Sequence, residues 1–295
     1  MQMKPEPATE EKIVVSELYH ENSKQRRNDL EFNRRINLVN SNPDFHRVIA
    51  RSFKNYPGAS VTKLPVVEPE DGLSYERAAA LRRSIRRFSG APLRIEEFAR
   101  LVYFGSGLTG HLDASEHDIV QPVRAAPSGG ALYPIELYAA VLNVDGMECG
   151  LYHYAVDRHL MELLRPGNFA SVLSDTTSDP ATFAHAAVVF VLSGAFGRSH
   201  FKYGERGYRF AILEAGHIAQ NILLAATARG LGAVAVGGFI DDEVNDLLDL
   251  DGVDEAAIYM IAAGHPAPRP TPSVEQRQEI VDRLLGELWG RNGGD

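Results

Sequence analysis

Apolar residues recur along this chain in two rhythms, and the changes between them mark out its elements. In "RIEEFARLVYFGSG" the positions Ile95, Phe98, Leu101 and Val102 keep the 3.6-residue period of a helix, which the glycines then stop. "YERAAALRRSIRRF" begins in the same helical manner. By contrast, "PIELYAAVLNV", "GLYHYAV", "AAVVFVLSG", "AVAVGGF" and "AAIYMIAAG" are short apolar runs that predict strands. Asp145-Gly146 lies between the first two and predicts a hairpin. A long helix is expected up to Arg229, where Gly230 stops it, a shorter helix is expected with Asp241 as its cap, and "SVEQRQEIVDRLLGELW" predicts a last amphipathic helix. A hairpin followed by helix–strand alternation favours an α+β layered sheet over a doubly wound one. Residues 1–70 differ from the rest. They are charged, Asn-rich and weakly periodic, and end in the turn-rich "NYPGAS". They are expected to form an extension with short helices that drapes over the core or a partner, ahead of a single domain at 71–295.

Composition narrows the class. The chain has 295 residues, 44% hydrophobic and 23% charged, which is ordinary for a soluble globular protein. A formal net charge of −9 argues against nucleic acid or an acidic membrane surface as a general partner. A single cysteine, Cys149, excludes an internal disulfide framework and fits a reducing compartment. The start "MQMKPEPATEEKIVV" has no apolar signal region, and the run "AHAAVVFVLSGAF" is too short and interrupted to span a bilayer, so a cytoplasmic protein is expected.

Several stretches could carry chemistry. "LRRSIRRF" gathers Arg82, Arg83, Arg86 and Arg87 around Ser84, which suits a phosphate or, equally, a solvated helix end. "RAAPSGGALYP" is a loop whose Gly129 and Gly130 admit close approach of a ligand and whose Ser128 can donate to one; an ordinary turn before a strand would read the same. Gly237-Gly238 ends a strand and leaves backbone amides open, as a tight strand-to-helix turn also would. Arg269 sits among prolines, in either a phosphate arm or a surface linker. In "KYGERGYRFAILEAGHIAQNILLAA", Lys202 and Tyr203 stand before the long helix. On that helix Ala211, Ala215 and Ala219 form a small-residue stripe of the kind found at subunit interfaces, and Glu214, His217 and Asn221 form an arc expected to be solvated. The histidines have no metal-ligand spacing, and GxGxxG, Walker and GxSxG patterns are absent.

Taken in order, "RRSIRRF", "PSGGALYP", the long helix, "VGGF" and "GHP…R" resemble the FMN-dependent nitroreductase superfamily, and "PSGGALYPIELY" and "KYGERGYRFAILEAGH" resemble its SagB-type azoline dehydrogenases. "LYHENSK" and "FKNYPGASVTKLP" are similar to that subgroup's leading region. The resemblance implies an α+β, nitroreductase-like fold with a mixed, mainly antiparallel sheet, an interwoven homodimer, and an FMN at each interface. Arg82, Ser84 and Arg269 would hold the FMN phosphate, Arg83 the phosphate or ribityl, and Arg86 would face the pyrimidine edge. Gly237 and Gly238 would lie beside N5, and Pro127, Ser128 and Gly129 would come from the partner chain. Lys202 and Tyr203 would be the catalytic base pair of an enzyme converting peptide thiazolines and oxazolines to thiazoles and oxazoles. Hydride would pass to N5, and dioxygen would reoxidise the flavin. A cationic Lys202, with Arg206 nearby, could favour a Tyr203 phenolate, or desolvation could leave Lys202 neutral as the base. A cyclodehydratase that makes the azoline is an expected partner. The rival readings are an NAD(P)H-dependent nitro- or quinone reductase and a non-catalytic flavin-binding scaffold.

Overall fold

The computed structural model describes residues 14–69, 73–114, 119–268 and 283. Three helices lead: α1 (Val15–Asn22), α2 (Leu30–Ser41) and α3 (Pro43–Ala50), followed by strand β1 (Ser60–Lys63). Next come α4 (Tyr75–Leu81), α5 (Ile95–Ser106) and a hairpin of β2 (Leu108–Ala114) and β3 (Ile119–Arg124). Strands β4 (Ile135–Val141), β5 (Gly150–Ala155) and β6 (Leu160–Pro166) precede α6 (Ala170–Asp175) and β7 (Val188–Ala195). The chain then forms α7 (Gly197–Tyr203), α8 (Arg206–Ala228), β8 (Gly232–Val236), α9 (Asp241–Leu248) and β9 (Glu255–Gly264).

The apolar runs make the middle of a seven-stranded sheet of order β1-β6-β5-β4-β7-β9-β8, in which every ladder is antiparallel. The hairpin expected around Asp145-Gly146 is β4–β5, with Val141 opposite Gly150. Strand residues alternate between two faces. Ile135, Leu137 and Ala139 of β4 and Val188, Phe190 and Leu192 of β7 join Phe98 and Val102 of α5 and Ile218 and Ile222 of α8 in one core. Tyr138, Val189 and Val191 face the other way, onto Leu173 of α6 and Val244 and Leu247 of α9. Burial on both faces explains why these strands read as continuous apolar runs.

Four expectations need correction. The stripe Ala211, Ala215, Ala219 is buried in the chain's own core, where small side chains bring α8 close to the sheet, and is not left free for a second subunit. Glu214 is buried as well, because α8 is covered on more than one side. The residue capping α9 is Ile240; Asp241 is the first helical residue and acts, with Asp242 and Glu243, only on the positive end of the helix dipole. The long helix, α8, has the length and composition to cross a membrane, which the apolar run singled out in the sequence lacks; here it packs against α5 and the sheet. Arg269 and, apart from residue 283, the predicted C-terminal helix lie outside the described residues.

Candidate functional site

Residues 127–133 form a tight turn between β3 and β4 in which Gly130, Ala131 and Tyr133 all have positive φ, at 66°, 52° and 45°. Left-handed non-glycine residues cost on the order of 1–3 kcal/mol each and persist only where the surroundings hold them. Here Ser128 Oγ accepts the Tyr133 N–H at 2.9 Å, the Tyr133 hydroxyl accepts the Arg124 N–H at 3.0 Å, and Arg198 donates to the Tyr133 carbonyl at 3.0 Å. The turn thereby presents Gly130 to the end of α7. A Cβ at Gly130 would collide with the Tyr203 hydroxyl and come within 3.3 Å of Lys202 Nζ. The "PSGG" loop and the Lys-Tyr pair, more than seventy residues apart in sequence, therefore meet within one chain.

Lys202 is only 8% exposed. Its Nζ donates to Asn40 Oδ1 of α2 at 3.1 Å and lies 5.5 Å from the centre of the Tyr203 ring. No carboxylate among the described residues bonds to it. Burial alone pushes its proton affinity down and pushes that of the Tyr203 phenol up. Phe210 packs edge-on against the Tyr203 ring at 4.9 Å. Arg206 donates to the Ser23 carbonyl at 3.0 Å and covers the Phe210 ring, so its charge is directed at α1 and Phe210. A polar groove of about 310 Å³, lined by Ser23, Asp29, Arg35, Tyr203 and Arg206, opens beside the pair.

Behind the loop lies a buried charge network. Glu214 of α8, 2% exposed, accepts the Ile135 N–H at 3.4 Å with one oxygen and leaves Oε2 without a hydrogen-bond partner among the described residues. Burial raises its pKa to about 7, against the opposing pull of Ser128, Arg124 and Arg198. Arg198 pairs with Glu136 at 2.5 Å, and the His153 ring bridges Glu136 and Glu162 at 3.0 Å to each. Despite its burial, Glu136 is held at about 2 by His153, Arg198 and Arg124. Glu214 was read in the sequence only as part of a solvated arc, and Asn40, Arg124 and Arg198 were not singled out; each is a single polar residue without a local motif, and only the fold reveals its partner.

The second group of candidates lies elsewhere. The segment after α4 turns extended and lies along β8, where Ser84 bridges Ala233 and the Ile85 N–H bonds the Ala233 carbonyl at 3.0 Å. Arg82 is half-buried, while Arg83, Ser84 and Arg86 are exposed. Arg83 donates to the carbonyls of Ala80 and Arg82, and Arg87 faces Asp179 at 3.6 Å. No carboxylate among the described residues pairs with Arg82, Arg83 or Arg86. Gly237 and Gly238 follow β8 and are exposed, and Gly237 opens onto a cleft of about 740 Å³ bordered by α8, α9 and β9. From Ala233 to Gly237 is about 13 Å along the strand. The "PSGG" loop leads instead into β4, three strands away and about 14 Å across the sheet. The structure thus brings the "PSGG" loop together with Lys202 and Tyr203 through Gly130, whereas the 82–86 segment and Gly237-Gly238 lie at different points along β8.

Comparison with known proteins gives the context. The model of the Nitroreductase family matches residues 79–265. MJ1384 of Methanocaldococcus jannaschii, named for the nitroreductases, is 31% identical over 188 residues, covering 64% of this chain and 89% of its own. The microcin B17-processing protein McbC of Escherichia coli is 36% identical over 135 residues, 43% of this chain. The trifolitoxin-processing protein TfxB of Rhizobium leguminosarum is 35% identical over 145 residues, 46% of this chain. The matches span 49% of McbC and 38% of TfxB. Among solved structures, a nitroreductase-type protein of Anabaena variabilis superposes with a TM-score of 0.61 at 28% identity, over 73% of this chain and 44% of that one. A chain of the E. coli microcin synthetase McbBCD complex shares the fold, with a TM-score of 0.53 at 23% identity over 88% of this chain and all of that one.

Proposed function

This chain belongs to the nitroreductase family, and on that premise we propose that it is an FMN-dependent oxidoreductase that converts peptide thiazolines or oxazolines to thiazoles or oxazoles in natural-product biosynthesis. The observation that carries the reading is Lys202, a buried amine without a carboxylate partner among the described residues, set beside a phenol against a strained glycine turn. Aromatising an azoline ring removes one proton and one hydride, and the proton needs a base that is unprotonated near pH 7. Desolvation drives Lys202 towards its neutral amine and keeps Tyr203 a phenol. Of the two bases that the sequence leaves open, this favours Lys202: its Nζ takes the ring proton, while the Tyr203 hydroxyl orients the substrate by hydrogen bonding. Bound flavin supplies the hydride acceptor, which dioxygen regenerates.

The residues present fit that cofactor. Arg82, Arg83 and Arg86, none of which pairs with a carboxylate among the described residues, suit charge-assisted bonds to the cofactor: Arg82 with Ser84 and Arg269 to the phosphate, Arg83 to the phosphate or ribityl, and Arg86 to the pyrimidine edge. The exposed amides of Gly237 and Gly238 can donate to the flavin ring. In this reading the protein is a homodimer, in which Pro127, Ser128 and Gly129 reach the flavin from the second copy. The processing proteins among its relatives, and the synthetase complex that shares its fold, support a cytoplasmic assembly with a cyclodehydratase that forms the azoline.

The protein is expected to purify yellow and to lower the mass of an azoline-containing peptide by two hydrogens. Lys202→Ala should abolish that loss while retaining flavin. Full activity in both Lys202→Ala and Tyr203→Phe would remove the base assignment. The likeness to MJ1384 favours, as a second reading, an NAD(P)H-dependent nitro- or quinone reductase. Rapid flavin bleaching by NAD(P)H and nitroarene turnover, without azoline oxidation, would establish it instead.

A further inference from the structure

The leading helices are joined to the Lys-Tyr pair at several points. The Arg35 guanidinium of α2 reaches the His200 carbonyl at 3.5 Å. Phe45 of α3 stacks on Phe201 at 5.9 Å, and Phe32 lies 6.4 Å from the Tyr203 ring. Ser23 receives Arg206 and Arg209 of α8. Val39 is 2% exposed and anchors the last turn of α2, which places its neighbour Asn40 over Lys202. The one hydrogen bond that Lys202 makes among the described residues is to Asn40 Oδ1, at 3.1 Å.

An amide oxygen has a particular effect there. A neutral amine has two N–H groups and one lone pair, so donating one N–H to a fixed acceptor restricts where the lone pair points. An amide also brings no charge, so it does little to stabilise the ammonium form against desolvation. A carboxylate in the same place would do so strongly. The other charged or titratable groups on the packed elements leave this balance alone. On α2, Glu31 and Arg35 pair with each other. On α3, His46 lies 3.1 Å from the Asn40 carbonyl. On α7, the His200 ring stacks on Phe196, leaving the Tyr203 hydroxyl as the titratable neighbour. On α8, Arg206 is directed at Ser23.

We propose that α2 is a wall of the active site and that Asn40 is a positioning residue, aiming the Lys202 amine at the substrate without adding the negative charge that would hold it protonated. This rests on Lys202 being the base. Asn40→Asp is nearly isosteric and places a charge where the amide oxygen stands. The Lys202 pKa should then rise by about one to three units, moving the acidic limb of kcat/KM to higher pH by the same amount. At a pH below both limbs, the rate should fall at least tenfold. Asn40→Ala should lower kcat, leave KM and flavin content near the parent values, and shift the limb much less.

Two measurements on the intact flavin-loaded protein test it. One is the pH profile. The other is independent of turnover: the lysine 13Cε titration by NMR, with the Lys202 signal assigned from its loss in Lys202→Met. An alkaline shift in Asn40→Asp by both measures supports the proposal. Unchanged profiles and titration in both Asn40 variants, with Lys202→Ala inactive, would overturn the role of Asn40 and leave the base intact. An active Lys202→Ala would overturn the base assignment and this proposal with it.

Discussion

Glu214 gives the sharpest quantitative expectation, because its environment can be tested without substrate or cofactor. Its side chain is 2% exposed, one carboxyl oxygen has no hydrogen-bond partner among the described residues, and its pKa stands at about 7 against an ordinary 4.5. The folded chain therefore holds this proton more tightly than the unfolded chain. Stability linked to it is fully present below about pH 4.5 and is lost as pH rises through about 7. A difference of 2.5 pKa units corresponds to about 3 kcal/mol, most of which appears between pH 5 and pH 8. Glu214→Gln keeps the shape and removes the titration. The variant should match the parent near pH 5 and exceed it by about 2–3 kcal/mol at pH 8. Urea unfolding of both proteins at several pH values, under identical flavin conditions, reads this directly as a widening gap in midpoints. Parallel curves across that range would refute the reasoning and mean that Arg124 and Arg198 hold Glu214 ionised.

Two further outcomes follow from the site. Gly130→Ala should fold, with a stability loss of about 1–2 kcal/mol from its positive φ, yet lose at least tenfold in kcat because the new Cβ displaces the Tyr203 hydroxyl and Lys202 Nζ; steady-state kinetics beside a melting curve separate the two effects. Arg82→Ala and Arg86→Ala should each weaken flavin binding by about tenfold or more, the loss of one charge-assisted bond, with equilibrium dialysis as the measure; unchanged affinity in both would place the phosphate elsewhere.

The fold was legible where one physical effect dominated. β4, β7 and β9 are covered on both faces, so their sequences are nearly continuous apolar runs, and α5 carries a clean helical period. β1, β2, β3 and β6 were not foreseen. β3, "IVQPVR", contains a proline and is buried only at its ends, and β6 ends in exposed positions, so neither shows a strong pattern. The alanine stripe on α8 misled because small residues permit close packing against any neighbour, and here the neighbour is the chain's own sheet. At the site, Lys202, Tyr203 and the "PSGG" loop carried local signals. Asn40 and Glu214 did not, since an isolated Asn in a polar helix and an isolated Glu on a long helix look solvated until the fold covers the groups they touch.

The strain in the 130–133 turn ties these observations together. Two non-glycine residues, Ala131 and Tyr133, held at positive φ cost about 2–6 kcal/mol in sum by general estimates, and an ordinary turn into β4 would not need them. What the conformation achieves is contact. It places Gly130, the one residue type without a Cβ, against Tyr203 and Lys202, and it does so through the hydrogen bonds that Tyr133 donates to Ser128 and accepts from Arg124 and Arg198, each of which faces the buried Glu214 or Glu136. The charge network under the loop therefore sets the position of the Lys-Tyr pair from below, while α2 sets it from above through Asn40. A lysine that must be both uncharged and aimed needs support of this kind from two sides, because burial alone would lower its proton affinity without fixing its direction.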